Sequence, residues 1–345
     1  MTNNNDVDPR YIKTAPAPPN FLSGLSAGHN RFFDNSTLDS MRVCARRYYY
    51  SKVRRWKPDR TNIALVFGSG WHASMDFLWA NPLATAEEVW EKGFLVEWNK
   101  SEFVESDLFD TFPRTPARAF DMLKKYIERY QSWLEHNIEV VEIEKPFIVP
   151  LSESHQNLFY IGKWDKLYKE GKFYHIIDHK TSSSFADSWL NSWSPNGQVD
   201  GYLYAGHMEY GDLFKSVMID GALVSKTQID FRRVPIERQI DMLDNWKWDV
   251  LDLIEQIMYY ENRLSEERAA KESPKFLKAF PKCTTSCTSY FGKCPYLDLC
   301  KYVPNPETYV GEDKPEGFVT DTWKPFNIAE TPEGSFEISP CDHGE

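Results

Sequence analysis

With 345 residues, 41% hydrophobic and 15% aromatic, the chain has enough apolar material for a substantial buried core and is unlike a disordered polymer. It contains no run of about 18 apolar residues, which excludes an ordinary transmembrane helix. Met1-Thr-Asn-Asn-Asn-Asp has neither the basic nor the apolar region of a secretory signal, so a cytoplasmic protein with no membrane partner is expected. The net charge of −11 argues against a generally basic nucleic-acid binder, so any phosphate-binding surface must be local.

Residues 1–30, rich in Asn, Pro, Gly and Ala, are expected to form a flexible leader. Ser36-Thr-Leu-Asp39 predicts an N-cap opening a helix through Tyr50. The basic stretch that follows holds Arg46, Arg47, Arg54 and Arg55 with Tyr48, Tyr49, Tyr50 and Trp56 interleaved. That pattern suits phosphate contacts and base stacking, or else a solvated helix face with aromatic anchors in the core. Phe67-Gly-Ser-Gly70 reads as a turn entering a helix that carries His72 and Asp76, and helical periodicity continues over residues 84–100 and 116–136. Val140–Val149 reads as a strand, followed by a hairpin whose turn holds Gly171. A helix over Pro195–Tyr210, a strand over Ser216–Val224 and a long helix from Pro235 to about Arg268 complete the pattern. The order is α/β (α+β), with helices, then a mixed sheet, then a cysteine-bearing coda. A single domain is expected over residues 31–303, mainly helical to 137, a sheet core over 138–235, and the long helix and cysteines over 236–303. An acidic extended tail is expected over 304–345.

The hairpin carries the chemistry. Ile161-Gly-Lys-Trp-Asp165 and Ile176-Ile-Asp178-His-Lys180 each place a carboxylate in an apolar strand, and the second adds a lysine two residues on. In a strand, residues i and i+2 share a face, so Asp178 and Lys180 point into one site that Asp165 reaches from the neighbouring strand. Two carboxylates suit Mg²⁺ or Mn²⁺, and a lysine beside the attacking water suits phosphodiester cleavage.

Cys283, Cys287, Cys294 and Cys300 crowd together, Cys44 stands far upstream, and Cys341 lies alone in the tail. Without a secretory signal such a cluster points to a metal rather than to disulfides. Spacing alone leaves structural Zn²⁺ and an iron–sulfur cluster open.

Taken together, these segments resemble the RecB-like branch of the PD-(D/E)XK nuclease superfamily, and within it the iron–sulfur members found among AddB-type recombination enzymes, CRISPR-adaptation nucleases and phage exonucleases. Gly70-Trp-His72 resembles the helical histidine motif, and Glu144 the acidic residue of the first core strand. Gly162-Lys-Trp-Asp165 and Asp178-His-Lys180-Thr181 resemble the two catalytic strands, and Gln198-Val-Asp-Gly-Tyr202 the helix flanking the site. Cys44 with Cys287, Cys294 and Cys300 resembles the split four-cysteine pattern. Cys283 is an alternative ligand, and Glu142 an alternative to Glu144. The superfamily's proline is absent, Ile177 standing before Asp178.

The resemblance implies a restriction-endonuclease-like core and a metal-dependent DNA exonuclease acting on single strands or duplex ends. Asp165, Asp178 and His72, with the backbone carbonyl of His179, would hold the metal. Lys180 and Glu144 would assist, and Gln198 and Tyr202 would touch DNA or brace the site. It also implies a structural [4Fe–4S] cluster and a place in DNA repair or recombination, with a helicase or recombination protein as a possible partner. No Walker A sequence is present, so an ATP motor would be a separate chain. The competing reading is a non-catalytic nucleic-acid-binding module with a zinc or iron–sulfur knuckle.

Overall fold

The computed structural model describes residues 30–60, 62–101, 113–152, 157–270, 274–289, 292–310, 313–321, 326–331 and 336–340. Most of the expected leader, and Cys341, lie outside these residues. In chain order the elements begin with β1 (Arg31–Phe33), α1 (Asn35–Val43), α2 (Ala45–Tyr48), β2 (Trp56–Pro58) and α3 (Ile63–Ala80). Next come α4 (Ala86–Val89), α5 (Leu95–Trp98), α6 (Pro116–His136), β3 (Glu139–Pro150), β4 (Leu158–Glu170) and β5 (Phe173–Ser182). Then follow α7 (Asp187–Asn191), α8 (Gly197–Tyr210), β6 (Phe214–Leu223), β7 (Phe231–Ile236) and α9 (Ile240–Ala269). The chain ends with β8 (Thr288–Ser289), β9 (Gly292–Lys293), α10 (Leu297–Tyr302), β10 (Phe318–Thr320), β11 (Phe326–Glu330) and β12 (Phe336–Pro340).

These elements gather into two compact units. The first holds residues 62–149 and 162–243, with a mixed sheet at its centre. β4 and β5 pair antiparallel, β5 and β6 parallel, and β6 and β7 antiparallel, so β7 is an edge strand. The helices form for local reasons. Thr115 caps α6 by accepting from the Arg118 N–H, a proline opens its first turn, and Ala119, Met122, Leu123 and Tyr126 recur at helical spacing to give one buried stripe. Asn196 caps α8 by accepting from the N–H groups of Gln198 and Val199.

α3 and α6 cover one sheet face, where Trp71, Tyr126 and Phe231 meet at 5.2–6.2 Å between ring centroids above Ile177, Met218 and Ala222. By the two-residue period, Ile176, Val217, Ile219 and Gly221 face the other side, toward α8. The fold is thus mixed α/β, a central mixed sheet flanked by helices.

Three details depart from the expectations. The turn expected at Phe67-Gly-Ser-Gly70 is helix, because Gly70 lies where Phe94 packs on α3 and a Cβ there would stand 2.9 Å from its ring. The stretch expected as helix from Pro235 begins as a strand, which tolerates proline because it lies on the sheet edge. The cap expected at Ser36 is Asp34, whose carboxylate accepts from Thr37 N–H at 2.7 Å.

The second unit holds residues 30–60, 150–161 and 244–340. β1 runs parallel to the first residues of β4, Arg31 opposite Leu158. β2 pairs with β10, and β11 with β12, so the tail carries strands where an extended segment is expected. The apolar stripe of α9 in this unit, Trp246, Val250, Ile254, Ile257 and Leu264, is buried.

The position of α3 depends on two glycine contacts of different kinds. A Cβ on Gly93 would lie 2.7 Å from the Ser74 Cα, a backbone atom that cannot rotate away, whereas a Cβ on Gly70 meets a side chain that can. Gly93→Ala is therefore expected to cost more than Gly70→Ala, within about 1–3 kcal/mol for overpacking. Urea unfolding of both variants measures this, and an equal or reversed order contradicts the packing described.

Candidate active site

The paired residues of β4 and β5 run from Glu170 opposite Phe173 to Lys166 opposite Ile177, around a turn with Gly171 at φ +61°. The next residues outward are Asp165 and Asp178, both buried. The Asp165 Oδ2 accepts from the backbone N–H of His179 at 2.8 Å and lies 3.1 Å from His72 Nδ1 on α3. Asp178 is differently placed. The Lys180 Nζ stands 2.7 Å from its Oδ2, yet among the described residues neither carboxylate oxygen has a well-directed hydrogen bond.

The electrostatics follow. Burial opposes charge on Asp165, but His72, Lys166 and Lys180 together hold its carboxyl well below the usual range. Burial pushes the Asp178 carboxyl up, and Asp165 adds to that, against the pull of Lys180. Burial lowers His72, but Asp165 more than offsets it and raises the imidazole. For Lys180, burial is outweighed by Asp178 and Asp165, so its ammonium is raised. One carboxylate is therefore satisfied by the protein and the other is left short of donors.

Glu144 enters from β3 with φ +56°, a left-handed backbone unusual for glutamate. Its carboxylate pairs with Lys163. Lys166, fully buried, pairs with Asp76, one helical turn beyond His72. His72, Asp76, Glu144, Lys163, Asp165 and Lys180 line a cleft of about 690 Å³, which Glu97 and Arg114 also border. Glu144 lines this cleft and Glu142 does not. Asp76, Lys163 and Lys166 are not anticipated as site residues from the sequence. The available signal is charge inside the largely apolar run Tyr160–Tyr168 and the i, i+4 spacing from His72.

The remaining candidates lie elsewhere. The His179 side chain is buried away from the cleft, Nδ1 3.5 Å from Asp220, and burial holds its imidazole well below the usual histidine value. Gln198 donates to the Tyr202 hydroxyl at 3.0 Å, and that hydroxyl donates to the Lys163 carbonyl at 2.9 Å, so the pair braces β4. In the second unit Arg46 is 3% exposed and donates to the carbonyls of Phe280 and Leu277 at 2.8 Å, which corrects its expected role on DNA. Arg54 is likewise engaged, with the Tyr309 carbonyl, Glu307 and the Trp56 ring. Tyr48, Tyr49, Tyr50 and Trp56 are buried and offer no base-stacking face. Arg55 is exposed and Arg47 half-buried.

The cysteines meet in the second unit as free thiols. Cys44 breaks the helix between α1 and α2 with extended φ −172°, and its Sγ accepts from Cys283 N–H at 3.2 Å. The β8–β9 pairing sets Cys287 and Cys294 opposite each other at its open end, joined by a 2.9 Å bond from Cys294 N–H to the Cys287 carbonyl. Burial raises the Cys294 and Cys300 thiols, and Cys44 raises both further. Cys283 instead turns its thiol to the Thr285 hydroxyl at 3.2 Å, which lowers it. Among the described residues no three imidazole, thiol or carboxylate groups form a ready metal cage. The donor chemistry nevertheless fits: the buried Asp178 carboxylate beside Asp165 has, among the described residues, the Lys180 ion pair and no well-directed hydrogen bond, and Cys44 acts on the Cys294 and Cys300 thiols, as Cys287 does on Cys294.

Among the described residues no helix is long and apolar enough to cross a membrane. No curated protein matches the chain. Among solved structures it is similar to SSO0001, at 13% identity and a TM-score of 0.30 over 66% of this chain and 79% of that one. It is also similar to an alkaline exonuclease from Laribacter hongkongensis, at 10% identity and a TM-score of 0.26 over 57% of this chain and 97% of that one. The family model of the PD-(D/E)XK nuclease superfamily matches residues 35–301. Covering well over half of the chain, that match places the protein in the PD-(D/E)XK nuclease superfamily.

Proposed function

We propose that the protein is a Mg²⁺- or Mn²⁺-dependent DNA exonuclease acting on single strands or duplex ends. The observation that carries this reading is the buried, donor-poor carboxylate of Asp178 beside Asp165, with the Lys180 ammonium 2.7 Å away. Asp165, Asp178 and His72, with the His179 carbonyl, would hold the cation. Bound there, it would polarise the phosphate and supply a more acidic water.

The protein's own groups have separate tasks. His72 and the His179 N–H fix the Asp165 carboxylate. Lys180 orients the attacking water and offsets charge that builds on the phosphate oxygens. Water oxygen bonds to phosphorus as the bond to the leaving sugar oxygen breaks, and that oxygen takes up a proton. Glu144, held by Lys163 in its left-handed backbone, borders the same cleft as a further acidic group.

We further propose that Cys44, Cys287, Cys294 and Cys300 hold a [4Fe–4S] cluster of structural role. Bound there, it would tie the helices that begin at Asn35 to the segment around α10 within the second unit, adding to folding stability. Support comes from the action of Cys44 on the Cys294 and Cys300 thiols, from that of Cys287 on Cys294, and from the Cys283 N–H already directed at the Cys44 Sγ.

In a Mg²⁺ or Mn²⁺ cleavage assay on labelled DNA, Asp178→Ala and Lys180→Ala are each expected to lose at least about 100-fold in rate. Retained activity in both sinks the nuclease assignment of this site. For the cysteines, protein purified without oxygen should be brown and contain iron and sulfide. Serine at 44, 287, 294 or 300 should abolish the visible absorption, and Cys283→Ser should keep it. Colourless, zinc-loaded protein contradicts the cluster, and loss of colour in Cys283→Ser contradicts the ligand set.

A further inference from the structure

One row of the sheet crosses directly beside the catalytic lysine. Lys180 pairs with Gly221 in the parallel β5–β6 ladder, and Gly221 pairs with Arg232 in the antiparallel β6–β7 ladder. Residues paired directly in either ladder project on the same face. Two cations thus flank a position that has no side chain of its own. Aromatic rings fill it: a Cβ on Gly221 would lie 2.5 Å from the Trp189 ring and 3.0 Å from the Phe185 ring.

These rings belong to the segment that leaves the catalytic strand. Phe185 and Trp189 lie 4.5 Å apart between centroids, and Trp193 stands 5.6 Å beyond Trp189. The Arg232 guanidinium lies 5.3 Å from the centroid of Phe185, and its side chain is 43% exposed. A plug serving only to fill the notch over Gly221 belongs in a buried helix. α7, which carries Trp189, buries none of its residues. Phe185, Trp189 and Trp193 are partly exposed, and Ser183, Ser184, Ala186, Asp187 and Ser188 around them are exposed.

We propose that Phe185 and Trp189, flanked by Lys180 and Arg232, form a subsite that stacks an unpaired nucleobase next to the scissile phosphate. The inference rests on the nuclease reading of the cleft and deepens it by specifying the substrate as single-stranded or frayed DNA. An aromatic face accepts any base, because every base presents a π-face, so the subsite selects strandedness and not sequence. A base paired in a duplex cannot leave its stack to reach it without the cost of unpairing. Arg232 adds a phosphate contact one strand away from Trp189, in the alternation of charge and ring that suits a single-strand path.

The test compares two single-stranded oligonucleotides in Mg²⁺ with the full chain, one bearing all its bases and one abasic near its end. Their KM ratio does not depend on the folded fraction of a variant. The wild type is expected to favour the base-bearing strand by about tenfold in KM, the range of one base stacked on an aromatic ring. Trp189→Leu should bring the ratio toward one. Gly221→Ala, which displaces the same ring from the opposite side, should do likewise. A wild type that cleaves both strands with equal KM, or variants that keep the preference, overturn the subsite and leave the nuclease reading intact. A wild type that cleaves neither strand overturns the subsite, and one that also leaves the ends of a duplex uncut overturns the nuclease reading with it.

Discussion

Two aspartates buried just beyond the paired part of β4 and β5 set the terms for the first unit. A carboxylate without donors in an apolar interior costs several kcal/mol. The fold meets that cost for Asp165, through His72 on α3 and the N–H of His179. It meets it less fully for Asp178, whose one close cation among the described residues is the Lys180 ammonium. The asymmetry turns a pair of like charges into a site, because a divalent cation would supply what Asp178 lacks without disturbing what holds Asp165. The surrounding elements bear on this point. α3 brings His72, and its seat is the close backbone approach of Gly93 to Ser74. The His179 imidazole is buried beside Asp220, which anchors the segment whose N–H and side chains face the site.

Charge around the cleft is distributed in the same economical way. Lys163 and Lys166 bracket Asp165 in sequence, yet each is already paired, with Glu144 and with Asp76. Buried polar networks of this kind are rigid when complete and costly when broken. The left-handed backbone of Glu144 belongs to this set, a strained residue at the point where its carboxylate meets Lys163. The acidic balance of the whole chain is thus compatible with a site whose cations are few, held and local.

How much of this was legible in the sequence depends on whether a residue's role is local or tertiary. The hairpin around Gly171, the helix 116–136 and the convergence of Asp165 with Lys180 follow from periodicity and turn chemistry, and the structure agrees. Gly70 misleads because glycine ordinarily marks a turn, whereas here the Phe94 ring requires the missing side chain inside a helix. Pro235 misleads because proline ordinarily opens a helix, whereas an edge strand also accepts it. Arg46 reads as a surface cation in sequence, yet carbonyls some 230 residues downstream capture its guanidinium. No local pattern reveals such a partner. Lys163, Lys166 and Asp76 are obscured in the same way, since each ion pair joins separate elements.

The central claim is that Asp165 and Asp178 are completed by one divalent cation. Calorimetric titration of Mn²⁺ into the wild type and into Asp178→Asn tests it most directly, because asparagine keeps the shape of the side chain and removes its charge. A binding event present in the wild type and lost in Asp178→Asn is the predicted result. Equal Mn²⁺ binding by the two proteins would contradict the account.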